Sequence, residues 1–442
     1  MTQDADGYIW MASDNGLCRY DGYHFYNIYN LSPGEDNIQG VVGYVFPDED
    51  KRHLWLRTST YVYCCYDLRE GRFIDFTGRK DYTRTYRRYI RGKQGVLWMF
   101  DDESGVRRVT GNANGSPLCT DYTKENGKLP VNHVCDAIED DKGQLWAMTT
   151  YGIVIIDAQG NSRTISRGSN FLRGIQIGHH ILTISEKNEI VSFDRNGREL
   201  RRTPFTANKG EKLPTITASF VWHGQWMIMT NGRTFMVSPN DGTAVSTEKY
   251  QVVGGAVMEG QPGDDNYFIS NTAGKLRIFP AKGDMRELDL MKGLQSTVER
   301  GRRYNIRKGS DGLYYIASYG NGLFVYNLEQ DKLLHYSANE PWAIVGNSYL
   351  NNILIDRSNC IWLSEESTGI TCILPPGRNS YDYFYPQPDH KGDWSNFVRM
   401  VHYNGERILL STKDNQLYEL HPETWKQLES PVSTPSTAYA YL

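Results

Sequence analysis

The chain reads as a succession of short apolar runs, each bounded by tight-turn residues, with no sustained 3.6-residue hydrophobic period. The opening segment shows the unit. Asp4-Ala5-Asp6-Gly7 predicts a turn, Tyr8 to Ala12 a strand, Ser13-Asp14-Asn15-Gly16 a second turn, and Leu17 to Tyr20 the returning strand. Asp21-Gly22 turns again toward an outer strand near His24 to Tyr26. Gly and Asn supply the positive φ angles such turns need. Related segments follow at 48–67, 92–109, 139–157, 181–197, 224–242, 265–279, 310–327, 356–374 and 404–420.

One large apolar position anchors each segment: Trp10, Trp55, Trp98, Trp146, Ile184, Trp226, Phe268, Tyr315, Trp362 and Leu409, at a mean spacing near 44 residues. That spacing matches one four-stranded blade of a β-propeller, and apolar stretches such as 133–140, 302–309 and 349–356 suit the innermost strands. A blade cannot bury both faces alone, and rings of about four to eight blades solve this by sheet-on-sheet packing. Ten repeats exceed such a ring. The expectation is therefore all-β: a seven-bladed propeller over residues 1–295, its first blade lacking an inner strand, followed by about three blades of a second propeller over 296–442. Both ends read as cut from a longer protein. The anchors are expected to pack between sheets.

Composition supports this picture and narrows the chemistry. Forty-two Gly, thirty Tyr and ten Trp favour strands and turns. Forty-eight Lys plus Arg against 52 Asp plus Glu leave a formal charge of −4, so no global field favours nucleic acid or an anionic membrane. One run, Arg79 to Arg91 (RKDYTRTYRRYIR), is basic and Tyr-rich; it reads as a solvated strand face or as a contact for phosphate, sulfate or uronate groups. No stretch is apolar enough to span a bilayer, and the N-terminus lacks signal-peptide layout. Seven Cys show no zinc spacing, so no metal and no cofactor are expected. Cys360 and Cys372 flank a turn near Glu366 and would face one another in a regular hairpin, as packed thiols or as a bridge.

The segments DGYIWMASDNGLCRYDGYHF, LNNILIDRSNCIWLSEESTGI and NFVRMVHYNGERILLSTKDNQLYEL resemble the two-component-regulator propeller repeat. Shared features are an apolar inner strand, Asp-x-x-Gly or a variant, an Ile-Trp-type strand, a polar turn and Gly-Leu-x-x-Tyr/Phe. Repeats five to seven are degenerate. The resemblance implies the periplasmic sensor of a Bacteroides-type hybrid two-component system, with two propellers, a β-sandwich, a membrane span, and kinase, receiver and DNA-binding domains. It implies an oligosaccharide ligand, control of polysaccharide-utilisation genes, the rest of the receptor as partner, and a homodimer. No direct contact of this segment with nucleic acid is implied.

No nucleophile elbow, HExxH, P-loop or dinucleotide fingerprint appears, so no catalytic residue is assigned. Acidic clusters at Asp101-Asp102, Glu139 to Asp141 and Glu365-Glu366 leave a glycosidase or lyase reading open, since two carboxylates ~5 to 9.5 Å apart would serve. A protein-docking propeller is a third class. His179-His180 read as a turn, because neighbours on a strand point to opposite faces. For ligand contact the candidates lie on loops between second and third strands: Arg57, Tyr61, Asp101, Tyr151, Lys187, Asn231, Tyr319, Asn321 and Glu365. Such a mixture of charge, amide and aromatic groups suits sugars.

Overall fold

A computed structural model of the chain describes residues 1–14, 16–28, 41–74, 85–111, 117–205, 215–230, 233–250, 257–259, 266–270, 275–290, 292, 304–338, 344–366, 368–374, 398–422 and 426–433. Among these residues the secondary structure is antiparallel β, apart from one short 3-10 turn at Lys93–Gly95. The strands form ten sheets, nine of four strands and one of three, each ordered as in the chain. The first strands of the sheets are Thr2–Gln3, Val42–Pro47, Arg88–Arg91, Val134–Glu139, Phe171–Ile177, Ile216–Trp222, Val257–Glu259, Tyr304–Lys308, Leu350–Ile355 and Val398–Tyr403. Here the sheets are numbered one to ten in that order. The chain is an all-β propeller protein.

Contacts divide the chain into Met1–Ile373, which holds sheets one to nine, and Leu374–Leu442, which holds sheet ten. Within the first unit, successive residues of one strand serve opposite interfaces. Leu97 and Met99 join Trp55 and Cys65 of sheet two, while Trp98 and Phe100 join Leu145 and Ala147 of sheet four. Trp146 and Met148 in turn meet Ile181 and Val191 of sheet five. This explains why the middles of the second strands run apolar on both faces rather than alternating: both faces are buried. Each such side chain contributes about 1.5–3 kcal/mol by leaving water.

Sheet seven does not end a ring. Its Phe268, Leu276 and Ile278 share a core with Tyr304, Ile306 and Tyr314 of sheet eight, so packing continues across the expected boundary at 295/296. Sheet eight continues to sheet nine through Tyr315, Leu323, Leu350 and Leu363. Sheet nine then meets sheet one. Trp362 packs on Ile9 and Met11, the Tyr20 ring stands edge-on to Trp362 at 5.4 Å, and Arg357 donates to the Gln3 side chain and the Asp4 carbonyl. Nine sheets thus share one closed succession of cores, where the repeat count suggested seven. Thr2–Gln3 pairs with Ile9 and Trp10, so sheet one also has the first strand that the sequence reading denied it.

The anchors are packing residues. Trp10, Trp55, Trp98, Trp146, Ile184, Trp226, Phe268, Tyr315 and Trp362 are all buried. Leu409 is half-buried, and the core of sheet ten comes from its neighbours Ile408 and Leu410 with Tyr418 and Leu420. A turn aspartate commonly accepts from the indole: Trp10 donates to Asp4 at 2.6 Å, Trp55 to Asp48 at 2.7 Å, Trp146 to Asp140 at 3.0 Å and Trp362 to Asp356 at 2.8 Å. The other oxygen of Asp4, Asp140 and Asp356 accepts two N–H groups of its own turn. The Asp and Trp of the repeat are therefore one structural device, an Asx-type turn locked to the inter-sheet core. The described cysteines are free thiols. Cys372 pairs with Trp362, and Ile361 with Ile373, so Cys360 sits two positions diagonal to Cys372 on the same face rather than opposite it.

Candidate ligand-binding site

The first strands of sheets two to five begin at one end of the first unit, beside the loops between second and third strands. Arg57 is the last residue but one of the second strand of sheet two, His53–Thr58, and the turn after that strand carries Tyr61 at φ +64. The Arg57 guanidinium lies 4.3 Å from the Tyr44 ring centroid and 5.4 Å from that of Tyr61, held between aromatic faces. One of its N–H groups donates to the Arg87 carbonyl at 3.0 Å. Its Nε is buried with no hydrogen-bond partner, and no carboxylate among the described residues pairs with it. The outer parts of the cage remain open, with Tyr44 54% and Tyr61 40% exposed. Beneath it, burial pushes the Tyr63 phenol well up, with the Arg57 charge pulling the other way.

Arg87 extends the row, 5.9 Å over Tyr61, with its side chain 58% exposed. Asp101 is 3% exposed; it accepts the N–H of Arg87 at 3.0 Å and of Glu103 at 3.2 Å, which makes it a turn-holding group. The Arg87 guanidinium stands 3.8 Å from Asp101 and 3.9 Å from Asp102. Arg88 is fully committed: it pairs with Asp102 at 2.7 Å and donates to the carbonyls of Val134 and Cys135. Next along, Asp136 faces Arg173 at 3.6 Å and accepts the N–H of Gly174 at 3.1 Å. Burial pushes the Asp136 carboxyl up, against the pull of Arg173 and the Gly174 N–H. The Cys135 thiol between these charges is raised to about 11, chiefly by burial. Near it, Asn170 binds the Glu186 carboxylate at 3.0 Å.

The structure brings Arg57, Tyr61 and Asp101 into one cluster. It places Tyr319, Asn321 and Glu365 in another, on sheets eight and nine. There Tyr319 donates to Glu366 and meets Tyr349 edge-on at 5.2 Å. Glu365 is saturated by Gly346 N–H at 3.0 Å and by the hydroxyls of Thr368 and Thr371, both at 2.6 Å, so its role is to hold the loop. Asn321 is buried, its carbonyl bonded to His335 and its Nδ2 without a partner. Tyr151 and Lys187 stand in exposed turns and join neither cluster among the described contacts. Asn231 lies outside the described residues. Sequence reasoning missed Tyr44, Asp136 and Arg173, because it searched loops and these belong to first strands, and it named Arg87 and Arg88 only as part of the basic run Arg79 to Arg91.

The remaining acidic groups are engaged structurally. Glu139 accepts the Trp98 indole at 3.0 Å and the Lys93 N–H at 2.7 Å, and Asp141 pairs with Arg195. His179 occupies a turn and His180 opens the following strand. At the opposite end of the unit, a cavity of ≈ 260 Å³ opens between sheets two and three, lined by Asp48, Asp50, His53, Trp55, Leu97 and Val109 among others. Its Asp48 is tied to Trp55 and its Asp50 to His53. No group of three or more potential metal ligands occurs among the described residues. No helix among them is long and apolar enough to cross a membrane.

No protein-family profile and no curated protein matches the sequence. Solved structures similar to it include the extracellular domain of BT3049 from B. thetaiotaomicron, assigned to the hybrid two component systems. That match has 16% identity and a TM-score of 0.37 over 97% of this chain and 64% of that one. The extracellular domain of BT4673 from the same organism, assigned to the one component systems, matches at 14% identity and a TM-score of 0.28, over 97% and 76% of the two chains. BamB from Moraxella catarrhalis matches at 12% identity and a TM-score of 0.41, over 74% and 91%. The chain spans about two thirds of the length of the first of these, 64%.

Proposed function

We propose that the chain is a ligand-sensing module of an extracytoplasmic receptor of the hybrid two-component type, and that its ligand is an oligosaccharide. The observation that carries the reading is the exposed Tyr44–Arg57–Tyr61–Arg87 row on a rigid sheet scaffold, which pairs flat aromatic faces with fixed donors. Sugars need both, a face for their C–H groups and directed partners for their hydroxyls. The repeat motifs in the sequence point the same way. On this reading the module works in the periplasm, as part of a longer dimeric receptor whose other domains carry the kinase and control polysaccharide-utilisation genes. Occupancy can shift that receptor only through affinity that differs between two arrangements.

The enzyme reading draws little support, since Asp101, Glu139, Asp140, Asp141 and Glu365 each hold a turn, an indole or an arginine. Calorimetric or thermal-shift screening of the chain against a library of glycan fragments tests the proposal. Saturable binding of at least one fragment is expected. Silence toward the whole library by folded protein would sink it, and release of products from a polysaccharide would replace it with the enzyme reading.

A further inference from the structure

We infer that the ligand carries a negative charge, a uronate carboxylate or a sugar sulfate, and that Arg57 with Arg87 receives it beside the Tyr44 and Tyr61 rings. This rests on the oligosaccharide reading and narrows it. Charged side chains taken from water are ordinarily paired. Arg88 obeys that rule through Asp102 and two carbonyls. Arg57 does not: its neighbours are two ring faces, the Arg87 carbonyl and the Tyr63 hydroxyl, its Nε has no acceptor, and no described carboxylate reaches it. Cation–π contact tolerates the charge without neutralising it, because the ring quadrupole offers no compensating anion. Arg87, one step along the row, keeps 58% of its side chain in solvent. Its nearest carboxylate oxygens belong to Asp101, already bonded by backbone N–H groups, and to Asp102, already held by Arg88.

Two guanidinium groups so placed supply forked donors of the shape that carboxylate and sulfate oxygens match. The rings on either side supply the platform for the pyranose that bears them. A neutral sugar would use the platform and leave the cation uncompensated.

The test is calorimetry of the full chain with a glucuronate-containing disaccharide, a sulfated disaccharide and neutral disaccharides of equal size, at low and at high salt. At least one anionic disaccharide is expected to bind ten-fold or more tighter than the neutral ones, and to weaken as salt rises. The two anionic arms separate carboxylate from sulfate. Arg57→Gln should lower that affinity at least ten-fold, and Arg57→Lys should restore only part of it, since an ammonium lacks the planar fork. Arg87→Gln, at an exposed position, should weaken binding with the melting temperature unchanged, which keeps the test independent of folding. Equal or tighter binding of neutral disaccharides, or indifference to both substitutions, would overturn the anionic inference and leave the sensor reading standing. Silence toward every sugar, charged or neutral, would overturn both.

Discussion

Asp140 shows how much of this molecule is decided by single polar residues. Its two oxygens accept from the N–H groups of Lys142 and Gln144 and from the indole of Trp146, and the residue is 1% exposed. Removing it leaves three donors unsatisfied, at a cost of about 1–3 kcal/mol per buried group before relaxation. Asp140→Ala is expected to lower stability by about 2–4 kcal/mol in urea titration; a loss below about 0.5 kcal/mol would show that the Asp–Trp device is dispensable. Asp67 makes a second case. Burial alone would raise its carboxyl, but bonds from Arg52 at 2.9 and 2.6 Å and from the N–H groups of Arg69 and Glu70 win, and the group titrates below its usual 3.8. A depressed carboxyl stabilises the fold above its unfolded value and loses that contribution as pH falls through the folded one. Acid unfolding should therefore steepen below about pH 4, and Asp67→Asn should flatten that limb of the stability profile. An unchanged limb would deny Asp67 the role.

Individual strands were largely legible. The Asp-to-Trp spacing fixed turn and second strand together, because an aspartate that caps its own turn reaches an indole on the strand that follows. What eluded sequence reading were positions set by neighbours rather than by local pattern. Gly174 is one: a Cβ there would fall 1.7 Å from Cε of Met148 in the adjacent sheet, while its N–H donates to Asp136. Nothing in LRGIQI marks that close approach. Gly174→Ala is expected to cost about 1–3 kcal/mol by overpacking. Met148→Ala in the same chain should recover part of the loss; no recovery would place the strain elsewhere. The ligand cluster was half legible for the same reason. Tyr61 sits in a turn, and Arg57 and Asp101 at the strand ends beside such turns, where a pattern can find them, whereas Tyr44 and Arg173 matter only because consecutive first strands begin side by side. Tyr151 and Lys187 match the same turn pattern, yet join no cluster among the described contacts.

Across the first unit, stability depends on each sheet finding a neighbour for both faces. The contact of sheet nine with sheet one is the lightest core of the succession, with Ile9, Met11 and Trp362 as its buried members. Trp362→Ala should cost about 3–5 kcal/mol. It should also raise hydrogen exchange in Ile9–Ser13 and Gly369–Ile373 together, while Leu145–Thr149 and Gly152–Ile156 keep their protection. Unaltered exchange in Ile9–Ser13 would argue that sheet one does not depend on sheet nine. By itself the sequence determined the antiparallel unit, its spacing, its turn chemistry and the identity of its buried anchors, all of which are local. Only the tertiary structure decided that nine sheets share continuous cores, that the break falls after Ile373, and that Arg57 has two tyrosine rings for company but no described carboxylate. Repeats of one kind present nearly equivalent faces to one another. Which face meets which, and where the succession closes, is settled by packing between residues hundreds of positions apart, such as Gln3 and Arg357.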